Sequence, residues 1–460
     1  MKNTFDDFNR KKITVMGLGK FGGGAGAAKF FAEKGAKVTV TDLKTEKELA
    51  ESISKLDGLG IRFVLGKHDI NDFEDADMVV VSPAVPGDSE FIAAARKNKV
   101  PLQTEIGIFV SLCPGKICGV TGSNGKTTTV SMLGSILSQS DKKFFVGGNI
   151  GGSLLSVLPE ITPEHIIVLE LSSFQLEWLG QMKWSPHIAA VLNITPNHLD
   201  RHLTYNNYLD AKAKIAEFQK SSDFAVLCRD DKGSSSLSLS GRHCVVWFGK
   251  NVENRGFTVD EGWIVKSTRT TYKEIFNLDY LSVPGMHNVM NAMAAAACAY
   301  VMEIPVDVIS KGLELFRGVP HRLEYIGETG GIKFYNDSKS TTPEAVVTAV
   351  NSFSSNVIPI LGGYDKGVSF DEMADEISGK IKWAALIGKT ATLIAGSLKK
   401  AGIASTTYPE LKEALYGCIS KSVSGDTIVL TPGCASYDMF NDYEHRGETF
   451  KTLVGEYIGS

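Results

Sequence analysis

A glycine-rich stretch, CGVTGSNGKTTTVS at residues 118–131, combines residue types that together bind polyphosphates. It joins an apolar run to the start of a helical pattern, and the backbone N–H groups of such a turn form an anion site. The Lys126 ammonium would reach the β- and γ-phosphates, and the Thr127 hydroxyl would bind Mg²⁺. The pattern GxxxxGK[ST] is broken at its first position, which is Val120, so a glycine loop that carries GKT by chance is the alternative. We predict an ATP site formed by Gly122, Ser123, Asn124, Gly125, Lys126, Thr127 and Thr128.

Two polar side chains follow apolar runs further along the chain. Glu170 lies in VLELSSFQLE and His198 lies in LNITPNHLDRH. Ligands of open α/β sheets bind beyond the carboxyl ends of the strands, and a carboxylate there suits Mg²⁺, which prefers oxygen ligands. A helix-capping role for Glu170 and a backbone-bonded loop histidine are the alternatives, and the sequence leaves them open.

Lys212 has an unusual place in the helical pattern of YNNYLDAKAKIAEF, residues 205–218. It shares an apolar stripe with Tyr205 and Leu209, whereas Lys214 has charged neighbours one turn away. Such a lysine either extends its ammonium along the apolar surface to solvent or is functional. Burial lowers the pKa of a lysine, and the neutral amine can react with carbon dioxide to give a carbamate that binds metal. Spacing alone favours the solvent-directed arrangement.

A second glycine cluster, GLGKFGGGAG at residues 17–26, follows the first apolar run. Gly17, Gly19 and Gly22 have the GxGxxG spacing, and Asp42 ends the next strand pattern, where a ribose-binding acid belongs. Taken alone, these residues predict NAD and a dehydrogenase. Glycines that merely allow a tight turn are a further alternative, because the motif is weakly specific.

The elements that must position these residues fall into three blocks in which β-rich runs alternate with helical patterns. That alternation predicts an α/β protein with parallel sheets. We expect a Rossmann-like domain at residues 1–106, a central P-loop ATPase domain at 107–318 and a Rossmann-like domain at 319–460. Residues 292–302, AMAAAACAYVM, predict a buried helix, and SSSLSLS at 234–240 predicts a surface loop.

Bulk composition gives no indication of several classes of partner. The 460 residues carry a net charge of −4, which gives no reason to expect nucleic acid or an anionic membrane. Seven cysteines without a CxxC pair fit a reducing compartment. No signal-peptide core and no uninterrupted apolar span are present in the sequence. We expect a cytoplasmic monomer that acts on small molecules, without membrane insertion.

Nine motifs, in order along nearly the whole chain, resemble those of the Mur ligases of peptidoglycan synthesis. They are TGSNGKTT, GGNIG, LELSSFQLE, NITPNHLDRH, GMHNVMNA, PHR, NDSKSTTPEA, GGYDKG and TPGCASYDMF. Within that family, the sequence is most similar to the members that add D-glutamate to UDP-N-acetylmuramoyl-L-alanine (UDP-MurNAc-L-Ala). An ATP loop and a diphosphate-type glycine loop in one chain also favour a ligase with two nucleotide sites.

The resemblance implies an ATP-dependent amide ligation with ATP and Mg²⁺ as cofactors. ATP would phosphorylate the substrate carboxylate, and the amine of D-glutamate would attack the acyl phosphate. Positioning and charge stabilisation carry most of such chemistry.

The resemblance also implies roles for individual residues. The catalytic residues would be Lys126, Glu170, His198 and Lys212. The metal ligands would be Thr127, Glu170, His198 and Lys212 as its carbamate. Further nucleotide contacts would come from Asn288, Asn291, Arg322 and Asp337. The UDP-substrate would contact Gly19, Lys20, Phe21, Asp42, Ser82, Pro83 and Asn149. D-Glutamate would contact Thr341, Lys366, Ser436 and Tyr443; a cation such as Lys366 suits its carboxylates, although a loop lysine paired with Asp365 is the alternative.

Some positions depart from the family pattern. DSKSTT replaces the usual DSKATN, which places Thr342 at an asparagine position, and Lys20, Phe21 and Ala84 also differ from common patterns. The DNPR signature of the diamino-acid-adding ligases is absent. The L-alanine-adding ligase is the main alternative within the family. An NAD dehydrogenase and a non-catalytic nucleotide-sensing module are the alternatives from other classes.

Overall fold

The computed structural model describes residues 8–19, 23–83, 85–149, 152–237, 244–250, 252, 256–354, 356–365 and 367–459. Within these ranges the strands form three sheets. The chain divides into two compact units, Met1–Phe276 with Asn291–Gly312, and Asn277–Met290 with Leu313–Ser460. Three of the predicted site residues, Lys20, Phe21 and Lys366, lie outside the described residues.

The first sheet of unit one is parallel, with the strand order β3-β2-β1-β4-β5. Its strands are β1 (Lys12–Met16), β2 (Lys37–Asp42), β3 (Arg62–Leu65), β4 (Met78–Val81) and β5 (Leu102–Gln103). The helices of this part are α1 (Gly23–Glu33), α2 (Glu46–Ser54), α3 (Asn71–Glu74) and α4 (Glu90–Lys97). The central strands are runs of buried valine and isoleucine, as expected of a parallel sheet covered on both faces.

The second sheet of unit one has the order β14-β13-β12-β11-β10-β9-β6-β8-β7. Its strands are β6 (Lys116–Thr121), β7 (Phe144–Gly148), β8 (Ile166–Glu170), β9 (Ile188–Val191), β10 (Phe224–Cys228), β11 (Cys244–Phe248), β12 (Gly256–Asp260), β13 (Trp263–Ser267) and β14 (Tyr272–Asn277). The pairs from β7 to β12 are parallel, and β12 pairs with β13 antiparallel. Strand β6 leads into the glycine-rich loop at residues 122–125, called the phosphate loop below. It lies between β8 and β9, so the carboxyl ends of these three parallel strands lie at the same edge of the sheet.

The helices around this sheet are α5 (Glu105–Leu112), α6 (Lys126–Leu137), α7 (Ser173–Gln181), α8 (Leu199–His202), α9 (Tyr205–Glu217), α10 (Lys232–Ser235), α11 (Met286–Val301) and α12 (Val306–Leu315). Their starts follow from local chemistry. Ser172 and Gln175 form a reciprocal capping box before α7, and the Thr204 hydroxyl accepts from Asn207 N–H to begin α9.

The sheet of unit two has the order β15-β16-β20-β17-β18-β19. Its strands are β15 (Glu324–Thr329), β16 (Ile332–Asn336), β17 (Val357–Leu361), β18 (Ala384–Leu386), β19 (Ser405–Thr407) and β20 (Thr427–Leu430). Edge strand β15 is antiparallel, and the other pairs are parallel. Its helices are α13 (Pro343–Asn351), α14 (Asp371–Ile377), α15 (Ala391–Lys400), α16 (Leu411–Lys421) and α17 (Tyr443–Gly459).

The predicted α/β class with three mainly parallel sheets is therefore confirmed, and the alanine-rich segment lies in the buried helix α11. The surface loop predicted at 234–240 is wrong at its first residues, because Ser234 and Ser235 belong to α10 and the Ser234 hydroxyl is buried, donating to the Val191 carbonyl. Residues 238–240 of that prediction lie outside the described residues. Among the described residues, no helix is both long and apolar enough to cross a membrane.

Candidate active site

The phosphate loop connects the end of β6 to the start of α6. Gly125 precedes α6 with a φ of +84°, a conformation that favours glycine. A Cβ atom at this position would also collide with the side chain of Asn291. The ammonium of Lys126 donates to the carbonyls of Gly122 at 2.9 Å and Ser123 at 3.1 Å. The loop thus presents a lysine and a helix N-terminus at the same edge of the sheet.

Two further loop residues, Ser123 and Asn124, are held by the segment that follows β9. Ser123 Oγ donates to the Thr195 carbonyl at 3.0 Å, and Asn124 N–H donates to Asn193 Oδ1 at 2.8 Å. Thr128, in the first turn of α6, is buried. These bonds fix the loop against the segment that follows β9.

The carboxylate of Glu170, only 2% exposed at the end of β8, receives two side-chain hydrogen bonds. Thr127 Oγ1 donates to Glu170 Oε2 at 2.7 Å, and Asn149 Nδ2 donates to Glu170 Oε1 at 3.0 Å. Residues from three separate segments therefore meet at one carboxylate. This position is not that of a helix cap, because the capping residues of α7 are Ser172 and Gln175.

Lys212 lies on the inner face of α9 and is 1% exposed. Its Nζ donates to the Gly122 carbonyl at 2.9 Å and to Thr121 Oγ1 at 3.2 Å. Burial, and then the charge of Lys126, lower the pKa of Lys212 from 10.5 to about 7, while Glu170 acts in the opposite direction. The solvent-directed arrangement favoured by spacing is therefore wrong, since the ammonium points into the phosphate loop.

His198 precedes α8 and is exposed, with a left-handed φ of +52°. Its ring lies 5.3 Å from the ring of Phe174 and 6.3 Å from that of Tyr208. Phe174 stacks on His202 at 5.5 Å, so a small aromatic cluster holds the segment that carries His198. Among the described residues, no group of three or more His, Cys, Asp or Glu side chains could hold a metal ion.

The N-terminal glycine loop is anchored by Asp42 at the end of β2. One carboxylate oxygen accepts from the N–H groups of Leu18 at 2.9 Å and Gly19 at 3.3 Å, and the other accepts from Lys44 N–H at 2.9 Å. The Asp42 side chain therefore restrains the glycine loop by binding the backbone N–H groups of that loop. This commitment weakens the dehydrogenase interpretation, in which the acid would bind a ribose hydroxyl.

Ser82 and Pro83 follow β4 at the same edge of the first sheet. A Cβ atom at Gly17, which has a φ of +92°, would lie 3.0 Å from the Cβ of Ser82. Ser82 N–H donates to the Met16 carbonyl at 3.0 Å, which ties the end of β4 to the end of β1. The described members of the predicted UDP-substrate group thus flank the carboxyl ends of their strands.

The nucleotide residues predicted at helix α11 lie on either side of the division between units. Asn291, in unit one, accepts from Thr129 Oγ1 at 3.3 Å. Asn288, in unit two, donates to the Pro284 carbonyl at 2.7 Å. Both side chains are buried.

In unit two, Asp337 follows β16 and is buried, whereas Arg322 is exposed. The Asp337 carboxylate accepts from Leu323 N–H at 3.1 Å and from Thr431 Oγ1 at 3.0 Å. Burial raises its pKa from 3.8 to about 6, opposed by these bonds and by the charge of Arg322.

The described members of the predicted D-glutamate group, Thr341, Ser436 and Tyr443, also lie in unit two. Thr341 lines a cavity of about 270 Å³, together with Tyr364, Phe370 and Cys434 among others. Ser436 is buried two residues after Cys434. Tyr443 begins α17, and its carbonyl accepts from Ser338 Oγ at 2.8 Å, which links it to the segment that carries Thr341. Burial, and then Glu444, raise the pKa of Tyr443 to about 12.

Three family models match consecutive parts of the chain. They are the Mur ligase MurD-like N-terminal domain at residues 11–104, the Mur ligase middle domain at 120–299 and the Mur ligase glutamate ligase domain at 321–434. A UDP-N-acetylmuramoylalanine–D-glutamate ligase of Thermoanaerobacter sp. is 38% identical over 97% of this chain and 98% of its own. The enzyme of the same name from Koribacter versatilis is 39% identical over 97% and 98%. The chain belongs to the Mur ligase family.

Solved structures show the same fold for this Mur ligase at much lower identity. The UDP-N-acetylmuramate–alanine ligase of Thermotoga maritima aligns with a TM-score of 0.58 at 21% identity, covering 98% of this chain and 99% of that one. The MurF ligase of the same organism, solved in complex with ADP, aligns with a TM-score of 0.57 at 16% identity, covering 99% and 100%.

Sequence patterns did not reveal three residues that contact the predicted site segments, one in unit one and two in unit two. Tyr208 Oη lies 3.0 Å from Ser123 Oγ, and its ring lies 4.9 Å from Lys212 Nζ. The buried Arg446 donates to the carbonyls of Ser338 and Cys434. Thr390 contacts two further loops of unit two. Only Tyr208 had a signal, because it lies one turn from Lys212 on the apolar side of the same helix.

Proposed function

We propose that this Mur ligase uses ATP to join D-glutamate to UDP-MurNAc-L-Ala through an acyl phosphate, in peptidoglycan precursor synthesis. The observation that carries the proposal is the meeting of the phosphate loop, Glu170 and Lys212 at one sheet edge. The choice of D-glutamate is supported by relatives of that name over nearly the full length and by the MurD-like N-terminal match.

The chemistry follows from the electrophile that the reaction needs. A carboxylate reacts poorly with amines at neutral pH, whereas its mixed anhydride with phosphate reacts readily. The loop N–H groups and Lys126 would bind the β- and γ-phosphates and orient the terminal phosphoryl group toward the substrate carboxylate. Phosphate would then leave after the D-glutamate amine has formed the new C–N bond.

The metal ligands are proposed from the same cluster. Thr127 and Glu170 provide a hydroxyl and a buried carboxylate in direct contact, which are hard oxygen donors of the kind that Mg²⁺ takes. Mg²⁺ bound there would neutralise phosphate charge. A second ion would need an oxygen anion near His198, and the carbamate of Lys212 would provide one. The lowered pKa of Lys212 supports this step, because only the neutral amine captures carbon dioxide.

The remaining roles are proposals of the same kind. Gly19, Lys20, Phe21, Asp42, Ser82, Pro83 and Asn149 would bind the UDP-substrate, with Asp42 acting partly through the loop backbone. Asn288, Asn291, Arg322 and Asp337 would complete the nucleotide site. Thr341, Lys366, Ser436 and Tyr443 would bind D-glutamate.

We further propose domain boundaries near residues 106 and 318, a monomer and a cytoplasmic location. The positions of the three family matches support the boundaries. Sedimentation of the purified protein would test the monomer.

Phosphate release from ATP, measured with UDP-MurNAc-L-Ala while each amino acid is varied, tests the function. Release that depends on D-glutamate is expected. Release that needs UDP-MurNAc and L-alanine instead would assign the chain to the sister ligase. Oxidation or reduction of a nicotinamide cofactor without ATP use would support the dehydrogenase interpretation. Nucleotide binding without turnover would indicate a sensing module.

A further inference from the structure

Three loops of unit two converge on the hydroxyl of Thr390. This residue lies between β18 and α15 and is 1% exposed. Its Oγ1 accepts from Gly363 N–H at 3.0 Å, donates to the Gly363 carbonyl at 3.1 Å and lies 3.2 Å from Cys434 Sγ. Its own N–H also donates to the Gly363 carbonyl at 3.1 Å. Thr390, in the loop after β18, thus contacts both the loop after β17 and the loop after β20.

The two loops held by Thr390 also contact each other directly. Tyr364 N–H donates to the Ala435 carbonyl at 2.8 Å. Gly363 has a φ of +152°, and a Cβ atom there would collide with the Ala435 carbonyl. Because the backbones pass this closely, a shift of Gly363 must move Ala435 and its neighbour Ser436.

We propose that Thr390 is a positioning residue for the amino-acid substrate, setting the place of Ser436 relative to the loop after β17. The inference rests on the proposed function, which assigns Ser436 to D-glutamate. A valine at position 390 would keep the shape of the side chain but leave the buried Gly363 N–H without its hydroxyl acceptor. An unpaired buried donor is costly, so the loop is expected to shift. Small displacements of binding groups weaken substrate binding and turnover strongly.

The decisive comparison is between Thr390→Val, Thr390→Ser and Ser397→Ala. Serine keeps the hydroxyl and should behave as wild type. Ser397 is a matched control, because it is buried on the following helix and donates to Asp371 at the start of α14, without contacting Gly363 or Cys434. The KM for D-glutamate, ATP and UDP-MurNAc-L-Ala would be measured for each variant, together with the melting temperature.

Thr390→Val should raise the KM for D-glutamate by about tenfold and leave the KM for ATP within twofold. Ser397→Ala should lower the melting temperature without changing either KM. An unchanged KM for D-glutamate in Thr390→Val, or an equal rise in Ser397→Ala, would overturn the inference.

If Thr390→Val does not fold, Cys434→Ala gives a second reading, since it removes the thiol that contacts Thr390 Oγ1 and lines the cavity with Thr341. A smaller rise in the KM for D-glutamate is expected there, and no rise would again overturn the inference. Failure of the proposed function is distinguishable, because wild-type protein would then show no D-glutamate-dependent phosphate release at all.

Discussion

Lys212 and Gly122 are joined by a hydrogen bond of 2.9 Å from the buried ammonium to the carbonyl of the phosphate loop. A lysine on α9 is thereby tied to the loop proposed to hold ATP. The same helix carries Lys214, which pairs with Glu217 at 2.6 Å and is about one-third exposed. Lys212 and Lys214 are therefore a matched pair for testing whether the buried lysine, and not the exposed one, is needed for activity.

Replacing Lys212 by alanine should remove most ligase activity, by about a hundredfold or more, because both the charge near the phosphates and the proposed carbamate are lost. Acetate should restore part of the activity by occupying the place of the carbamate. Initial rates with and without acetate measure this. Lys214→Ala should keep near wild-type rates, and full activity of Lys212→Ala would contradict the catalytic role.

Carbamate formation should depend on pH in a defined direction. The pKa of Lys212 is lowered to about 7, so the amine is protonated and unreactive below that pH and neutral above it. Uptake of ¹³C-labelled carbon dioxide, followed by ¹³C NMR, should therefore rise as the pH increases through about 7. Lys212→Arg should show no carbamate signal, and a wild-type signal that is strongest in acid would refute this prediction.

Lys126→Ala should abolish ATP-dependent product formation, with a loss of at least about a hundredfold, because the ammonium is the cation of the phosphate loop. Phosphate release and peptide product would be measured together. Lys116→Ala, at the exposed start of β6, serves as the control. Product formed at the wild-type rate by Lys126→Ala would remove the basis of the proposed mechanism.

Asp42→Ala should raise the KM for UDP-MurNAc-L-Ala by about tenfold. The reason is that the backbone N–H groups of Leu18 and Gly19 in the glycine loop, and that of Lys44, lose their acceptor. The KM for ATP should change little, because the phosphate loop belongs to the other sheet of the unit. Asp57→Ala is the control, because Asp57 is exposed. An equal rise in both KM values would indicate general destabilisation instead.

The sequence predicted central parallel strands such as β4 and β8, because each is a short buried run that ends at or next to a polar residue. It did not predict the partly exposed parallel strands β3, β11 and β19. It did not predict the antiparallel pair β12 and β13, because the two residues that connect these strands, Glu261 and Gly262, are not one of the strong hairpin turn signals. The phosphate loop was predictable because its chemistry is local. Thr390 and Arg446 were not, because their partners lie far away in sequence and only the folded sheet brings them together.

Asp42 has one further consequence, which concerns the thermodynamics of substrate capture. Its carboxylate already restrains the backbone at residues 18 and 19, so the entropy lost in ordering that turn is part of folding and not of binding. If this segment binds the diphosphate as proposed, the restraint at residues 18 and 19 should reduce the entropic penalty of binding, and calorimetry on the wild type and on Asp42→Ala would measure the difference.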